Sequence, residues 1–363
     1  MVGPRISLHV AGTRIALGVI DIVLAALVLI GVLHERLQPN GNLIWIVPVG
    51  IGLVILCYGI NFLSERLRGR IVRSGPPALP TVVTLPVAYG PTVAEARSET
   101  AAARGGAAGM GIDLAIGLLA VAVFLLVDGG GRRFADLAAV AAIAIGGSAG
   151  IRFLAAPSLN GGRVIRWMLE FTFDDDESAI RAVRMAGYGV AFTLFTAGIM
   201  LLAAEGEGGF WGIGLATAGI DIGVLATVAT RQTFWLQTAG ERTLGDLLEA
   251  PHAMVSAGSP LDEMISVLSV DGPSAVAVVR DPVGNPAGIM QFRQMRAGVG
   301  RGGEGLTIGD VMIPIERLPL VSCDTSLLAA AQLLLANGAP AIRYENARGK
   351  MVIATMRDIG LPR

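Results

Sequence analysis

The sequence predicts two kinds of structure joined end to end: a domain of about six membrane-spanning helices, followed by a smaller α/β module. Composition is the first reason. Of the 363 residues, 53% are hydrophobic and 16% are charged, whereas soluble domains have about 25% charged residues. The second reason is the distribution of charge, because long apolar runs end near residue 231 and the rest resembles a soluble α/β protein.

Six apolar segments are long enough to cross about 30 Å of hydrocarbon. Their predicted ranges are 14–33, 44–63, 110–127, 136–155, 187–204 and 210–230, in a membrane domain that covers 14–231 and follows an N-terminal segment of residues 1–13. We expect the first segment to be a signal anchor that is not cleaved. Similar sequences end the second and fourth segments, at 59–63 and 150–154. We therefore expect three helical hairpins of the same orientation.

Arginine placement predicts the orientation of these segments. Arginines are concentrated in the N-terminal segment and in the loops after the second and fourth segments. Their positions are Arg5, Arg14, Arg66, Arg68, Arg70, Arg73, Arg97, Arg104, Arg163, Arg166, Arg181 and Arg184. Both termini are therefore expected in the cytosol, and the chain is expected to be a multi-pass protein of the plasma (inner) membrane.

The two long loops on that side differ in composition. Residues 74–92 are rich in proline, which predicts an extended, mobile loop. Residues 160–185 are predicted to lie at the membrane interface, with Arg163, Arg166 and Trp167 among the lipid headgroups. The acidic run 174–177 is expected to cap the helix that leads into the fifth segment.

Five polar residues of the apolar segments form a candidate intramembrane site: Asp21, Asn61, Asp113, Arg152 and Asp221. A charged residue at mid-membrane costs about 2.5–3.5 kcal/mol on insertion scales, so each needs a reason. One interpretation is a cation or proton site that faces the cytosol. The other is structural: Asp21 and Asp113 lie in the first turns of their helices, and Asp221 pairs with Arg152.

Several classes of function are excluded by the residues present. The net charge of −1 and 5% aromatic content argue against a nucleic-acid partner. The two cysteines, Cys57 and Cys323, lie in different parts of the chain, and the sequence contains no HExxH motif. We find no nucleophile–base pair, so the chain is not expected to be an enzyme. The sequence leaves open whether a metal ion is bound.

The last third of the chain contains an internal repeat. Residues 243–248, TLGDLL, recur as residues 307–312, TIGDVM. A proline, a short strand and a helix with a capping residue follow each copy; the first helix is expected to open at 259–262 and the second at Thr325. Two further strands and a short helix complete each copy, and the glycine-rich stretch 298–305 links them.

This order of elements, repeated twice, resembles a pair of CBS domains, with the first copy at 240–298 and the second at 304–363. The most specific match is Ile353-Ala354-Thr355-Met356-Arg357-Asp358. In the family, a strand there leads into Thr/Ser-x-x-Asp at the start of the last helix. The resemblance implies that Asp358 binds the ribose hydroxyls of an adenine nucleotide (AMP, ADP or ATP) and that Thr355 helps to hold phosphate, with Leu320, Val321 and Ala341 beside them.

The first copy departs from the family pattern, because Gln291 and Gln294 stand at the two equivalent positions. We therefore expect at most one nucleotide site, in the second copy. The resemblance also implies a homodimer formed through the CBS pair.

Two functions are consistent with these observations. One is an ion or small-solute transporter or channel that is gated by the nucleotide. The other is a sensor or scaffold that transports nothing, in which the hairpins anchor and dimerise the CBS module in the lipid bilayer.

Overall fold

The structure of the chain is a computed structural model. It describes residues 5–10, 13–37, 43–72, 79, 81–83, 88–127, 132–173, 175–204, 209–247, 253–261, 276–291, 294 and 305–360. The chain forms two compact units, residues 1–237 and 238–363. The first unit is mainly helical, and the second is an α/β module, so the predicted fold class is confirmed.

The described part of the first unit has eight helices. They are α1 (Val19–Leu37), α2 (Leu43–Val72), α3 (Val93–Arg97), α4 (Glu99–Val127), α5 (Arg132–Ile151), α6 (Asn160–Glu170), α7 (Asp176–Ala203) and α8 (Gly209–Ala239). By length and composition, five of them could cross a membrane: α2, α4, α5, α7 and α8. Helix α1 is not among these five; of its 19 residues, all but Asp21, His34, Glu35 and Arg36 are apolar or glycine.

Several helix limits differ from the prediction. The first segment was expected to be helical from residue 14, but residues 13–18 form a strand and the helix begins at Val19. Helix α5 ends at Ile151, and not at 155, because turns follow that bring Arg152 into the protein interior. Helices α2 and α4 are longer than predicted by about a third of their length.

A small sheet accompanies the helices. Its strands are β1 (Arg5–Val10), β2 (Thr13–Gly18), β3 (Thr81–Val83) and β4 (Ala88–Tyr89), in that order. Strand β2 pairs with β1 in antiparallel and with β3 in parallel orientation. The loop at 74–92, predicted to be extended and mobile, thus contributes two strands; 73–78, 80 and 84–87 lie outside the described residues.

Small residues bring α7 and α8 together. A Cβ on Gly198 would lie 2.5 Å from the Ala216 nitrogen, and one on Gly219 would lie 2.6 Å from the Ala191 carbonyl oxygen. Such close backbone approach is typical of helix pairs in membranes. Helix α1 has its own core with α2, which includes Leu29, Leu33 and Val54.

The second unit contains two sheets. Strands β5 (Ala253–Ser256), β6 (Val276–Arg280), β7 (Pro286–Gln291) and β8 (Ile313–Pro314) form the first, in the order β5-β6-β7-β8. Strands β9 (Leu320–Val321), β10 (Ala341–Glu345) and β11 (Met351–Thr355) form the second, in the order β11-β10-β9. The helices α9 (Ile308–Val311) and α10 (Leu327–Asn337) belong to the second copy. Residues 262–275, where the first copy's helix was expected, and 295–304 of the linker lie outside the described residues.

The two copies exchange their N-terminal segments. The Leu244 and Gly245 amides donate to the carbonyls of Thr325 and Cys323, in the second copy. In the same way, the Ile308 and Gly309 amides donate to the carbonyls of Ser259 and Ala257, in the first copy. Strand β8 also pairs with β7 of the first copy. Each copy is therefore completed by the chain of the other.

Candidate functional sites

The first candidate site is a network of buried charges where α2 ends and α4 begins. Arg68 of α2 is 1% exposed and binds Glu65 through two hydrogen bonds, of 2.6 and 3.0 Å. It also forms an ion pair with Glu95, which belongs to a capping box that Thr92 opens before α3. Glu65 accepts further hydrogen bonds from the Gly90 amide at 3.0 Å and from Arg163 at 3.1 Å.

Asp113 of α4 is the second centre of this network, and its side chain has no exposed surface. It accepts hydrogen bonds from the Ser64 hydroxyl at 3.0 Å and from the Asn160 amide at 2.7 Å. Arg152 forms an ion pair with it at 3.1 Å. Side chains from α2, from α6 and from the turns after α5 thus converge on one carboxylate of α4.

Helix α6 connects these centres to α7 and α8. Arg163 donates to the Asn160 side chain at 2.8 Å, which aligns the amide that binds Asp113. Arg166 donates to Asp176 at 2.8 and 3.0 Å and to the carbonyls of the α3 turn. Gln237, near the end of α8, also donates to Asp176. The interfacial prediction for Arg163 and Arg166 is therefore wrong, because both are buried; Trp167 and Phe171 of the same helix are exposed.

Glycines permit this close packing around α6. A Cβ on Gly106 of α4 would lie 2.6 Å from the Asn160 carbonyl oxygen, and one on Gly109 would lie 2.4 Å from the Asn160 side chain. Gly161 and Gly162 of α6 approach the backbone of residues 153–156 in the turns after α5. Without these four glycines, Asn160 and Arg163 could not reach Asp113 and Glu65.

The network is electrically balanced. It contains four carboxylates and four guanidinium groups: Glu65, Glu95, Asp113, Asp176, Arg68, Arg152, Arg163 and Arg166. Buried charges are tolerated when they are paired and hydrogen-bonded. This arrangement links α2, α3, α4, α6, α7 and the turns after α5 to one another.

A small cavity of about 40 Å³ borders the network, enough for about two or three waters. Tyr89, Arg163 and Thr233 are among the residues that line it. The guanidinium of Arg163 lies 5.5 Å from the centre of the Tyr89 ring. Burial raises the pKa of the Tyr89 hydroxyl, so this group is neutral, and it is hydrogen-bonded to the Thr233 side chain.

The five predicted intramembrane residues do not form one site. Asp113 and Arg152 pair with each other, so the expected pairing of Arg152 with Asp221 is wrong. Asp113 is also not in the first turns of its helix, because α4 begins at Glu99. Asp21 and Asp221 instead line a second cavity, between α1 and α8. Asn61 is buried, with 1% of its surface exposed.

Sequence reasoning missed most of the network. Glu65 and Arg68 lie beyond the predicted end of the second segment, and the arginines were considered as indicators of orientation only. Two signals were available. Thr92-x-x-Glu95 is a capping-box sequence, and Glu65 and Arg68 are spaced as an ion pair within one helix.

The second candidate site lies at the end of β11. Asp358 accepts hydrogen bonds from the Thr355 amide at 2.6 Å and from the Thr355 hydroxyl at 2.7 Å. Thr307 and Asp310 form the same arrangement at the start of α9. In the first copy, the Gln291 backbone N–H donates to the Gln294 side-chain oxygen at 3.2 Å. Glutamine therefore keeps the turn but replaces the carboxylate.

Strand register shows which predicted nucleotide residues share a face. Thr355 pairs with Ala341, and Leu320 pairs with Arg343, two residues further along β10. Side chains alternate between the faces of a sheet, so Leu320, Ala341 and Thr355 lie on one face and Val321 lies on the other. Leu320 is 61% exposed, whereas Ala341 is fully buried.

Arg343 is a further residue on the Thr355 face that the sequence did not indicate. Its Nε is buried and has no hydrogen-bond partner among the described residues. Within the described ranges, no three histidine, cysteine, aspartate or glutamate side chains are grouped as metal ligands would be.

No protein-family model and no curated protein matches the sequence. Among solved structures, the CBS-pair protein CBSX2 from Arabidopsis thaliana is similar to 33% of this chain over 92% of its own length, with 20% identity and a TM-score of 0.28. A structure of CBSX2 in complex with AMP is similar with 22% identity, over 33% of this chain and 93% of its own, and a TM-score of 0.27. The second unit thus resembles a CBS-domain pair, as predicted.

A third solved structure is similar to a larger part of the chain. It is the site-2 protease from Methanocaldococcus jannaschii, with 16% identity over 62% of this chain and 95% of its own, and a TM-score of 0.44.

Proposed function

We propose that the chain is a membrane-anchored sensor, in which the CBS-type module binds an adenine nucleotide and the helical domain holds the module at the membrane. One observation carries the proposal: each of the four carboxylates of the network forms an ion pair with at least one of its four arginines. Removing one partner of a buried ion pair is strongly destabilising, so we expect charges paired in this way to hold the helices together.

The proposed setting is the plasma membrane, with both termini in the cytosol and a homodimer formed through the CBS-type module. The proposal assigns no catalytic activity to the chain, because its sequence has no nucleophile–base pair and no HExxH motif.

The nucleotide site is proposed on the Thr355 face of the second copy. Asp358 supplies the carboxylate for the ribose hydroxyls, and Thr355 lies at the start of the following turn. Leu320 is exposed beside them, and Arg343 could neutralise a phosphate group.

Replacing Asp358 with alanine is expected to weaken AMP binding by at least about tenfold, because a charge-assisted hydrogen bond contributes roughly 1.5–3 kcal/mol. The measurement is isothermal titration calorimetry of the full-length protein in detergent with AMP, ADP and ATP. Asp310→Ala is the matched control, since Asp310 makes the same bonds to Thr307 without being in the proposed site. Equal affinities of wild type and Asp358→Ala would contradict the assignment.

A second candidate function is nucleotide-gated transport of a cation. It is favoured by the cavity between α1 and α8, where Asp21 and Asp221 both lie. If the chain transports a cation, the protein in lipid vesicles shows a flux that Asp21→Asn or Asp221→Asn abolishes and that AMP changes. If it is a sensor, AMP binds and no flux appears above that of protein-free vesicles. Wild-type flux in Asp21→Asn, Asp113→Asn and Asp221→Asn would exclude these carboxylates as the transport path.

A further inference from the structure

A long apolar groove lies between α2, α4 and α5. It has a volume of about 640 Å³, and of the side chains that line it Ser64 alone is polar. Along α2 the lining extends from Leu56 to Leu67, which is about 16 Å at a rise of about 1.5 Å per residue. This length is about half of the roughly 30 Å thickness of the hydrocarbon core of a bilayer. The groove therefore has the depth of one lipid leaflet.

The wall of the groove suits a hydrocarbon chain. The Ser64 hydroxyl donates to Asp113 at 3.0 Å, and Ser64 is 2% exposed. The other lining side chains are aliphatic, whereas sites for polar small molecules add a few polar groups that fix the orientation of the ligand. At Leu56, Ala138 and Ala141 the groove meets a second cavity, of about 350 Å³, whose lining is wholly apolar. A chain that enters at Leu67 thus meets apolar surroundings to its end.

Two exposed arginines lie where the groove ends, beyond Leu67. Arg70 follows Leu67 by three residues on α2, and side chains three apart are neighbours on a helix surface. Arg104 precedes the groove residue Ala115 by 11 residues on α4, which is about three turns, so the two lie on the same side of that helix. Neither arginine forms an ion pair within the described ranges.

These arginines lie at the same end of the groove, because α2 and α4 run in opposite directions. Two contacts show this: the hydrogen bond between Ser64 and Asp113, and the Arg68 guanidinium, which lies 2.8 Å from the position of a Cβ on Gly105. Both exposed arginines are within two residues of the second contact. The groove therefore combines an aliphatic wall with positive charge at one end.

We propose that this groove binds an acyl chain of an anionic phospholipid, and that Arg70 and Arg104 hold the lipid phosphate. Guanidinium groups bind phosphate through paired, charge-assisted hydrogen bonds, and basic groups beside membrane helices recognise acidic headgroups. The inference rests on the membrane setting of the proposed function. It does not rest on nucleotide binding, which titration with AMP measures separately, so the two proposals fail separately.

Charge argues against a second copy of the chain as the occupant of the groove. In a symmetric dimer the same face of each copy forms the interface. If the symmetry axis lies along the membrane normal, the four exposed arginines of the two copies gather at one end of that interface, and like charges placed together oppose association. A lipid phosphate neutralises these charges instead.

The test is native mass spectrometry of the full-length protein in detergent, titrated with phosphatidylglycerol or with phosphatidylcholine of the same acyl chains. One arginine near the headgroups contributes about fivefold to the affinity for an anionic lipid, so wild type should prefer phosphatidylglycerol by about 25-fold. Arg70→Gln and Arg104→Gln each lower this preference about fivefold. Both arginines are exposed, so neither change should affect folding in lipid-free detergent. Arg231→Gln, at an exposed arginine of α8, is the matched control and leaves the preference unchanged.

A second variant tests the groove itself. Ala115 is exposed within the groove, so Ala115→Phe is expected to fold, to fill the groove and to lose bound lipid of both kinds. Leu118→Phe, at an exposed leucine of α4 outside the lining, retains both. Equal affinity of wild type for the two lipids would overturn the proposal, and so would unchanged lipid binding in Ala115→Phe. A dimer that Ala115→Phe dissociates, without a preference for phosphatidylglycerol, would assign the groove to a second copy and contradict the proposal.

Discussion

Replacing Arg68 with methionine is expected to lower the free energy of unfolding by about 3–5 kcal/mol, the usual result of removing one partner from a buried ion pair. The Arg68 guanidinium binds Glu65 and Glu95 at once and is 1% exposed. Glu65 would keep its bonds from Arg163 and the Gly90 amide. Glu95 would keep only a weak contact of 3.4 Å to the Thr92 amide among those described here.

The effect can be measured by thermal unfolding of the purified protein in detergent. Arg70→Met is the control, since Arg70 is an exposed arginine two residues later on the same helix. The double variant Arg68→Met with Glu95→Gln removes both charges, so it should recover part of the lost stability. If Arg68→Met unfolds at the same temperature as Arg70→Met, the network does not stabilise the protein.

The second large effect is expected from Gly162→Ala. A Cβ at this position would lie 1.9 Å from the carbonyl oxygen of Ala156 and 2.3 Å from its carbon. Because these are backbone atoms, the clash can be relieved only by moving α6 away from the turns after α5. That movement would separate Arg163 from Glu65, so the cost is expected to exceed the roughly 1–3 kcal/mol of ordinary overpacking.

Gly147→Ala in α5 is the matched control, because a Cβ there has no neighbour within 4 Å. Alanine is favoured over glycine within a helix by about 1 kcal/mol, so this variant should be as stable as wild type or slightly more so. Unfolding temperature and expression in membranes are the measurements. Equal behaviour of the two variants would show that α6 does not pack as closely as described.

The fold class could be predicted because its signals are local. Apolar runs identify long helices by themselves, and the recurrence of TLGDLL as TIGDVM needs no knowledge of which residues meet in space. The helix limits were harder. A hydropathy pattern ends where charges begin, yet α2 continues through Glu65 and Arg68 to Val72 because these charges neutralise each other. The strand at 13–18 was hidden, since its apolar residues run directly into α1.

The charge network could not be predicted because it depends on distant residues. Arg163 and Glu65 are 98 positions apart, and Asp113 and Asn160 are 47 apart. An arginine near a predicted helix end has the same local sequence whether it faces headgroups or a buried carboxylate. Only the packing of α6 against α4, through Gly106 and Gly109, distinguishes the two.

The exchange of N-terminal segments within the module has a consequence for mechanical connection. Only three residues, 240–242, separate the end of α8 from Thr243. The segment that follows is bonded to the copy that carries Thr355 and Asp358, although the other copy comes first in the sequence. The Arg242 carbonyl already accepts from the Leu327 amide of that copy. Tension on α8 therefore reaches the second copy without passing through the first. The order of domains along the chain is thus not the order in which force passes through them.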